Sequence, residues 1–201
     1  VPRVVERMAE ETKAGRMDRR EFLAIASSLG ASTAIAYGMI GLSVPIEARA
    51  EEPKKGGVLH IAISVKAQKD PRTYDWVELG NAARTFLEPL VRYTREFTFE
   101  PVLLESWEVN EDATEYVLKV RQGVTWNNGD EFKADDVIFN LNRWADKKAA
   151  GNSMAARVSS LIDEATGKAK DGAISKVDDH TIKLKLNDSD IQASIRPAAI
   201  W

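Results

Sequence analysis

Cysteine is absent from this chain of 201 residues. That excludes disulfides, thiolate zinc and iron–sulfur sites, a cysteine nucleophile and a lipid-modified cysteine anchor. Packing and hydrogen bonds must hold the fold. Histidine is almost as scarce, with His60 and His180 the two present. Neither stands in a recognisable nucleophile motif and no glycine-rich phosphate loop is visible, so both read as structural. A surplus of positive charge is also missing. Lys and Arg number 28 against 31 Asp and Glu, for a formal net charge of -3 and a pI near 5.6. Nucleic-acid binding, which needs cations to displace counterions from phosphates, is thereby set aside. What the chain does have is a hydrophobic fraction of 44%, enough for the core of one ordinary domain.

Charge is distributed unevenly along the N-terminal part. Arg3 to Glu21 is dense in Arg, Lys and Glu, whereas Phe22 to Ile46 holds no charged residue. A polar head followed by an uncharged run is the layout of an export signal. At the junction stands Asp18-Arg19-Arg20-Glu21-Phe22-Leu23, which resembles the twin-arginine translocation motif. Two arginines keep their charge and their fork of donors in any surroundings, so acidic groups on a receptor can read them. Serines, threonine and glycines dilute the apolar run, and Pro45 breaks any helix before Ala48-Arg49-Ala50. That small-x-small tripeptide predicts cleavage after Ala50 and a periplasmic product. The same run, roughly 25 residues at about 1.5 Å each, is also long enough to cross a hydrocarbon core of about 30 Å. An uncleaved membrane anchor therefore stays open.

Residues 51–57 are polar with Pro and Gly and read as a lead-in. From Val58 to Val65, Leu59, Ile61, Ile63 and Val65 alternate with other residues and predict a strand, ended by the turn Asp70-Pro71. Leu79, Ala83, Phe86, Leu87 and Leu90 fall at helical spacing and predict a helix stopping near Glu88-Pro89. Strands are predicted over Val102–Val109 and Glu115–Arg121, with a short one at Val124-Thr125-Trp126 before the turn Asn127-Asn128-Gly129-Asp130. A helix opens at Ala134 with the buried stripe Val137, Ile138, Leu141 and Trp144. Another, capped by Ser153, would carry Met154, Val158, Leu161 and Ile162. Ile174–Val177 and Thr181–Leu186 flank Asp178-Asp179-His180 as a hairpin.

Asp130, Glu131, Asp135 and Asp136 form an acidic cluster. Adjacent helix residues point about 100° apart, so Asp135 and Asp136 do not converge. Helix-end electrostatics accounts for both, and no metal site is expected. Trp107, Trp126 and Trp144 sit on apolar stripes and are expected in the core.

Several blocks, in order, carry a family likeness. These are Glu88-Pro89-Leu90-Val91, Pro101-Val102-Leu103-Leu104-Glu105-Ser106-Trp107-Glu108-Val109, Tyr116 to Trp126, Asn128-Gly129-Asp130 and Ala134-Asp135-Asp136-Val137. Together, over roughly Gly56 to Leu186, they resemble the bacterial extracellular solute-binding proteins of family 5, the oligopeptide and dipeptide receptors of ABC importers. The resemblance implies an α/β, two-lobed, type II periplasmic-binding-protein-like fold, in which an extended peptide pairs its backbone with strands between the lobes. Family members are roughly two to three times longer than this mature stretch, so part of lobe one is expected here and the second lobe is not. Val1 before a full export signal reads as an alternative start, which would put the cut at the C-terminal end. The implied division is a signal over 1–50, a first segment of lobe one over 51–78, a small α/β subdomain over 79–188 and a return into lobe one over 189–201.

By the same resemblance, the segment after the Asp-Pro turn, Tyr74, Asp75, Trp76 and Val77, lies at the cleft and touches the ligand backbone. A second contact maps onto Asn152, Ser153 and Met154. Against these stand a plain loop with Trp76 packed under the next helix, and a cap with a core methionine. The resemblance further implies no catalysis, no cofactor, a monomer, and as partners a peptide or related solute, the permease and ATPase subunits and, during export, the twin-arginine translocase. Relatives that bind nickel chelates, haem, oligosaccharides or opines keep the ligand class open, and an exported enzyme is the reading from another class.

Overall fold

The computed structural model describes residues 2–45, 56–58, 60–64, 67, 69–74 and 77–188. Three short helices come first: α1 (Arg3–Lys13), α2 (Arg19–Ser28) and α3 (Thr33–Met39). Asp18 starts α2 by accepting the Arg20 amide at 2.8 Å, and the hydroxyl of Ser32 accepts the Ile35 amide at the start of α3. Gly30, at φ +89°, separates the two helices. That conformation is open to glycine at little cost, so the uncharged run turns back on itself. No helix among the described residues is long and apolar enough to cross a membrane.

The centre of the molecule is a four-stranded antiparallel sheet in the order β3-β4-β8-β7, made of β3 (Leu104–Val109), β4 (Glu115–Val120), β7 (Ile174–Asp178) and β8 (Thr181–Lys185). Alternation decides its inner face. Tyr116, Leu118 and Val120 on β4 and Ile182 and Leu184 on β8 are buried, with Leu186 just beyond, while Glu115, Val117, Lys119, Lys183 and Lys185 between them are more open. Register pairs Tyr116 with Leu184 and Leu118 with Ile182, so the two stripes share one face. Helix α5 (Ala134–Trp144) lies across β7 and β8 and buries Ala134, Val137, Leu141 and Trp144. Asp136 begins it by accepting the Lys133 amide at 2.9 Å, which satisfies a donor that the helix itself cannot. Asp135 points elsewhere, to Lys176 at 2.7 Å.

Two smaller ribbons flank the sheet, β1 (Val91–Tyr93) with β2 (Phe99–Pro101) and β5 (Ile162–Asp163) with β6 (Lys168–Ala169). At the far edge, among the described residues, β7 pairs with β8 alone. There the Lys176 ammonium is held at 2.7 Å by both Asp135 and Asp179.

Four sequence expectations are corrected. Val58 and residues 60–64 form no strand, and Val58 and Ile61 are exposed. No described strand lies alongside to take up their backbone donors and acceptors, and a ladder needs both sides. The helix expected to stop near Glu88-Pro89 is α4 (Val77–Ala83) and ends earlier, residues 84–86 turn, and Leu90 leads into β1. The helix expected from Ser153 is a 3-10 stretch, Ala155–Leu161, kinked at Val158, and Ile162 already belongs to β5. Its apolar residues Met154, Val158, Leu161 and Ile162 are nonetheless buried as their spacing requires. Finally, Trp126 is 47% exposed. Its ring meets Phe132 edge-on at 5.6 Å and its indole N–H donates to Asp136 at 3.3 Å. Of the three tryptophans, Trp144 is fully in the core and Trp107 packs against it.

The tight turn at residues 127–130 stands as its residues predict. Trp126 and Asp130 close it with a backbone bond of 2.8 Å, and Gly129 adopts φ +93°.

Candidate functional site

The turn Asp70-Pro71-Arg72-Thr73 is a single 3-10 turn, Pro71–Thr73, with Asp70 as its cap. Proline at the first position has no donor to lose, and the Asp70 carboxylate accepts the Arg72 amide at 3.0 Å. The same carboxylate accepts the Arg72 guanidinium, with Nη2 at 2.7 Å. It also accepts Arg143 Nη2 at 3.0 Å on each oxygen. Two guanidinium groups on one carboxylate hold its proton affinity well below the usual range. The Arg72 side chain contributes most, the Arg72 amide and the Arg143 charge add to it, and partial burial opposes them. Arg143 belongs to α5, so the turn is pinned to the helix that covers the sheet.

A second tie comes from the C-terminal end of α5. The Asn152 side-chain amide donates to the carbonyls of Trp144 at 3.0 Å and Asp146 at 2.8 Å. Its oxygen accepts the Met154 amide at 3.0 Å. Ser153, held between them, donates its amide to the Arg72 carbonyl at 2.9 Å. Its hydroxyl lies 3.0 Å from the carbonyls of both Arg72 and Tyr74. The hydroxyl therefore does not cap a helix, as its sequence position suggests; it fastens residues 72–74.

The structure thus brings together two segments that the sequence singled out separately. The Tyr74 ring is buried beside Leu79, Ala83 and Leu87. Met154 is 1% exposed, in the main core. Both side chains are buried and anchor their segments to a core, which leaves the backbone beside Tyr74, and not its ring, as the group a ligand could meet. Val77, 74% exposed, is presented to solvent. Asp75 and Trp76 lie outside the described residues, as do Ala48 and Ala50 of the expected cleavage site.

Pro71 and Arg72 line a cavity of about 480 Å³ together with Phe86, Trp126, Asn140 and Trp144. Its size is in the range of small-molecule sites and its lining is largely apolar. Nothing in the spacing of Arg143 or Ser153 marks them as partners of residues 70–74. The Asp-Pro-x-Thr cap is the one local signal of this site that the sequence offers.

At the other end of the chain, Arg19 and Arg20 are exposed at the start of α2. Phe22 and Leu23 are wholly buried.

Residues 98–200 match the family described as bacterial extracellular solute-binding proteins, family 5 Middle. Among curated proteins, the chain is 32% identical over 134 residues to di/tripeptide-binding protein 1 of Pseudomonas aeruginosa, covering 60% of this chain and 24% of that one. It is 29% identical over 149 residues to the oligopeptide-binding protein AmiA of Streptococcus pneumoniae, covering 67% and 22%. It is therefore aligned with about a quarter of the length of these relatives. Among solved structures, Haemophilus influenzae OppA in complex with the peptide RPPGFSPFR superposes with a TM-score of 0.50 at 30% identity, over 58% of this chain and 24% of that one. The unliganded periplasmic murein tripeptide binding protein MppA gives 0.56 at 22% identity, over 67% and 27%, and bears on the fold alone. With more than half of its residues matched and its α/β architecture shared with periplasmic binding proteins of this type, the chain belongs to the bacterial extracellular solute-binding proteins of family 5.

Proposed function

We propose that the chain is part of the substrate-binding component of an ABC transporter, which captures peptides in the periplasm for import through a membrane permease. Support for a peptide comes from the names of relatives, di/tripeptide- and oligopeptide-binding proteins, and from the peptide held by the OppA homologue. The observation that carries the reading is the double fastening of residues 70–74, by Arg143 to Asp70 and by Ser153 to the carbonyls of Arg72 and Tyr74, beside an apolar cavity that Pro71 and Arg72 line. A backbone held in one place can pair with a ligand's backbone without paying for its own ordering, and that favours affinity without strong sequence preference. Residues 1–50 serve in this reading as a twin-arginine export signal removed after Ala50.

The test is titration calorimetry with di-, tri- and nonapeptides on the protein encoded by the full reading frame. Micromolar or tighter binding of peptides is expected, and binding of haem in their place, as the 31% identical heme-binding protein A of Haemophilus influenzae would suggest, overturns the peptide reading. The 201-residue chain alone is expected to show no measurable affinity, because a ligand held between two lobes leaves little contact on a part of one.

A further inference from the structure

The N-terminal helices do not stand apart from the rest of the molecule. Phe22, Leu23, Ala26 and Leu29 are at most 1% exposed, in the same core as Val91, Phe99 and Leu104. Polar groups fix the arrangement as well. The Phe99 amide donates to the Ser27 hydroxyl at 2.9 Å, and the Trp107 indole donates to the Ser28 carbonyl at 3.2 Å. The hydroxyls of Thr33 and Thr98 lie 2.9 Å apart, and Tyr37 donates to the Glu96 carbonyl at 3.3 Å. All four join residues 27–37 to residues 96–107. Such directional bonds specify one docked position, which apolar contact alone does not.

A strained residue marks the same face. Phe97 holds φ +63°, a region costly for a bulky side chain. In that conformation its ring lies 4.7 Å beneath the Arg20 guanidinium, in cation–π range.

We propose that residues 18–42 are a built-in mask: docked against residues 96–107, they bury Phe22 and Leu23 while Arg19 and Arg20 stay outside, so a receptor meets only the charged half of its signal until the segment lifts away. The inference rests on reading residues 1–50 as an export signal. Lifting away exposes the apolar face around Val91, Phe99 and Leu104, so the docked and released states compete for the same surface. Recognition is then slowed in proportion to the docked fraction.

The absence of cysteine makes the docking directly testable. In the full chain with Thr33→Cys and Thr98→Cys, mild oxidation is expected to join the two thiols, seen as a mobility shift on a non-reducing gel. Two thiols that both remain open to alkylation overturn the mask. Thr98→Lys, which leaves the signal itself untouched and places a cation at a fully buried position, is expected to speed processing by roughly tenfold in cells with a twin-arginine translocase. Unchanged processing alongside a formed cross-link also overturns it. If neither the parent chain nor the variant leaves the cytoplasm while the cross-link forms, the export reading fails and the packing alone stands.

Discussion

Asp70 and Arg143, 73 positions apart, meet through two bonds of 3.0 Å to the two carboxylate oxygens. Each is about a third exposed. The pair joins the segment before Val77 to the helix that covers the sheet, and Arg72 completes it from the other side.

Arg143→Ala is expected to leave the sheet intact and to loosen residues 70–74, with faster amide exchange and earlier proteolysis there. A partly exposed pair of this kind contributes about 1 kcal/mol to global stability, so the local readout should move more than the melting temperature does.

The same carboxylate gives a pH signature. Its affinity for a proton is lowered in the folded state, so its contribution is fully present above the unfolded value, roughly pH 4, and fades as the pH falls below that. Urea titrations of the parent chain and Asp70→Asn should differ most near neutrality and converge in acid. A difference that grew on acidification would contradict the assignment.

Ser153→Ala removes the hydroxyl shared by the Arg72 and Tyr74 carbonyls. Loss of about 1 kcal/mol is expected. In the protein encoded by the full reading frame, peptide affinity should fall with it, whereas Ser153→Thr, which keeps the hydroxyl, should recover part of both.

Gly129→Ala probes the tight turn. An added methyl would meet nothing within 4 Å there, so the cost comes from φ +93° alone, about 1 kcal/mol. Leu184→Ala, on the buried face of β8, should cost about 3 kcal/mol by leaving a cavity. Chemical denaturation reads both.

The elements that were legible in the sequence are those where one local period decides the outcome. Tyr116, Leu118 and Val120 alternate and are buried; Val137, Leu141 and Trp144 recur at helical spacing and are buried; Asn127 to Asp130 turn. What was not legible depends on a neighbour far along the chain. Ile61 and Ile63 alternate just as well, yet a strand forms only where another lies beside it. Ser153 has the residue type of a cap, and its hydroxyl goes to a carbonyl 79 residues away. Leu23 belongs to an apolar run, and an apolar run specifies burial without naming its partner; Phe99 and Leu104 supply it.

Among the described residues, β7 is an outer strand of the sheet, the kind of edge through which sheets of separate molecules join. Lys176 sits on that strand, and two carboxylates fix its ammonium in place. An incoming strand would have to desolvate this charge or pull it from both partners. Self-association along β7 should therefore rise first at high salt, which weakens such ties, and light scattering reads it.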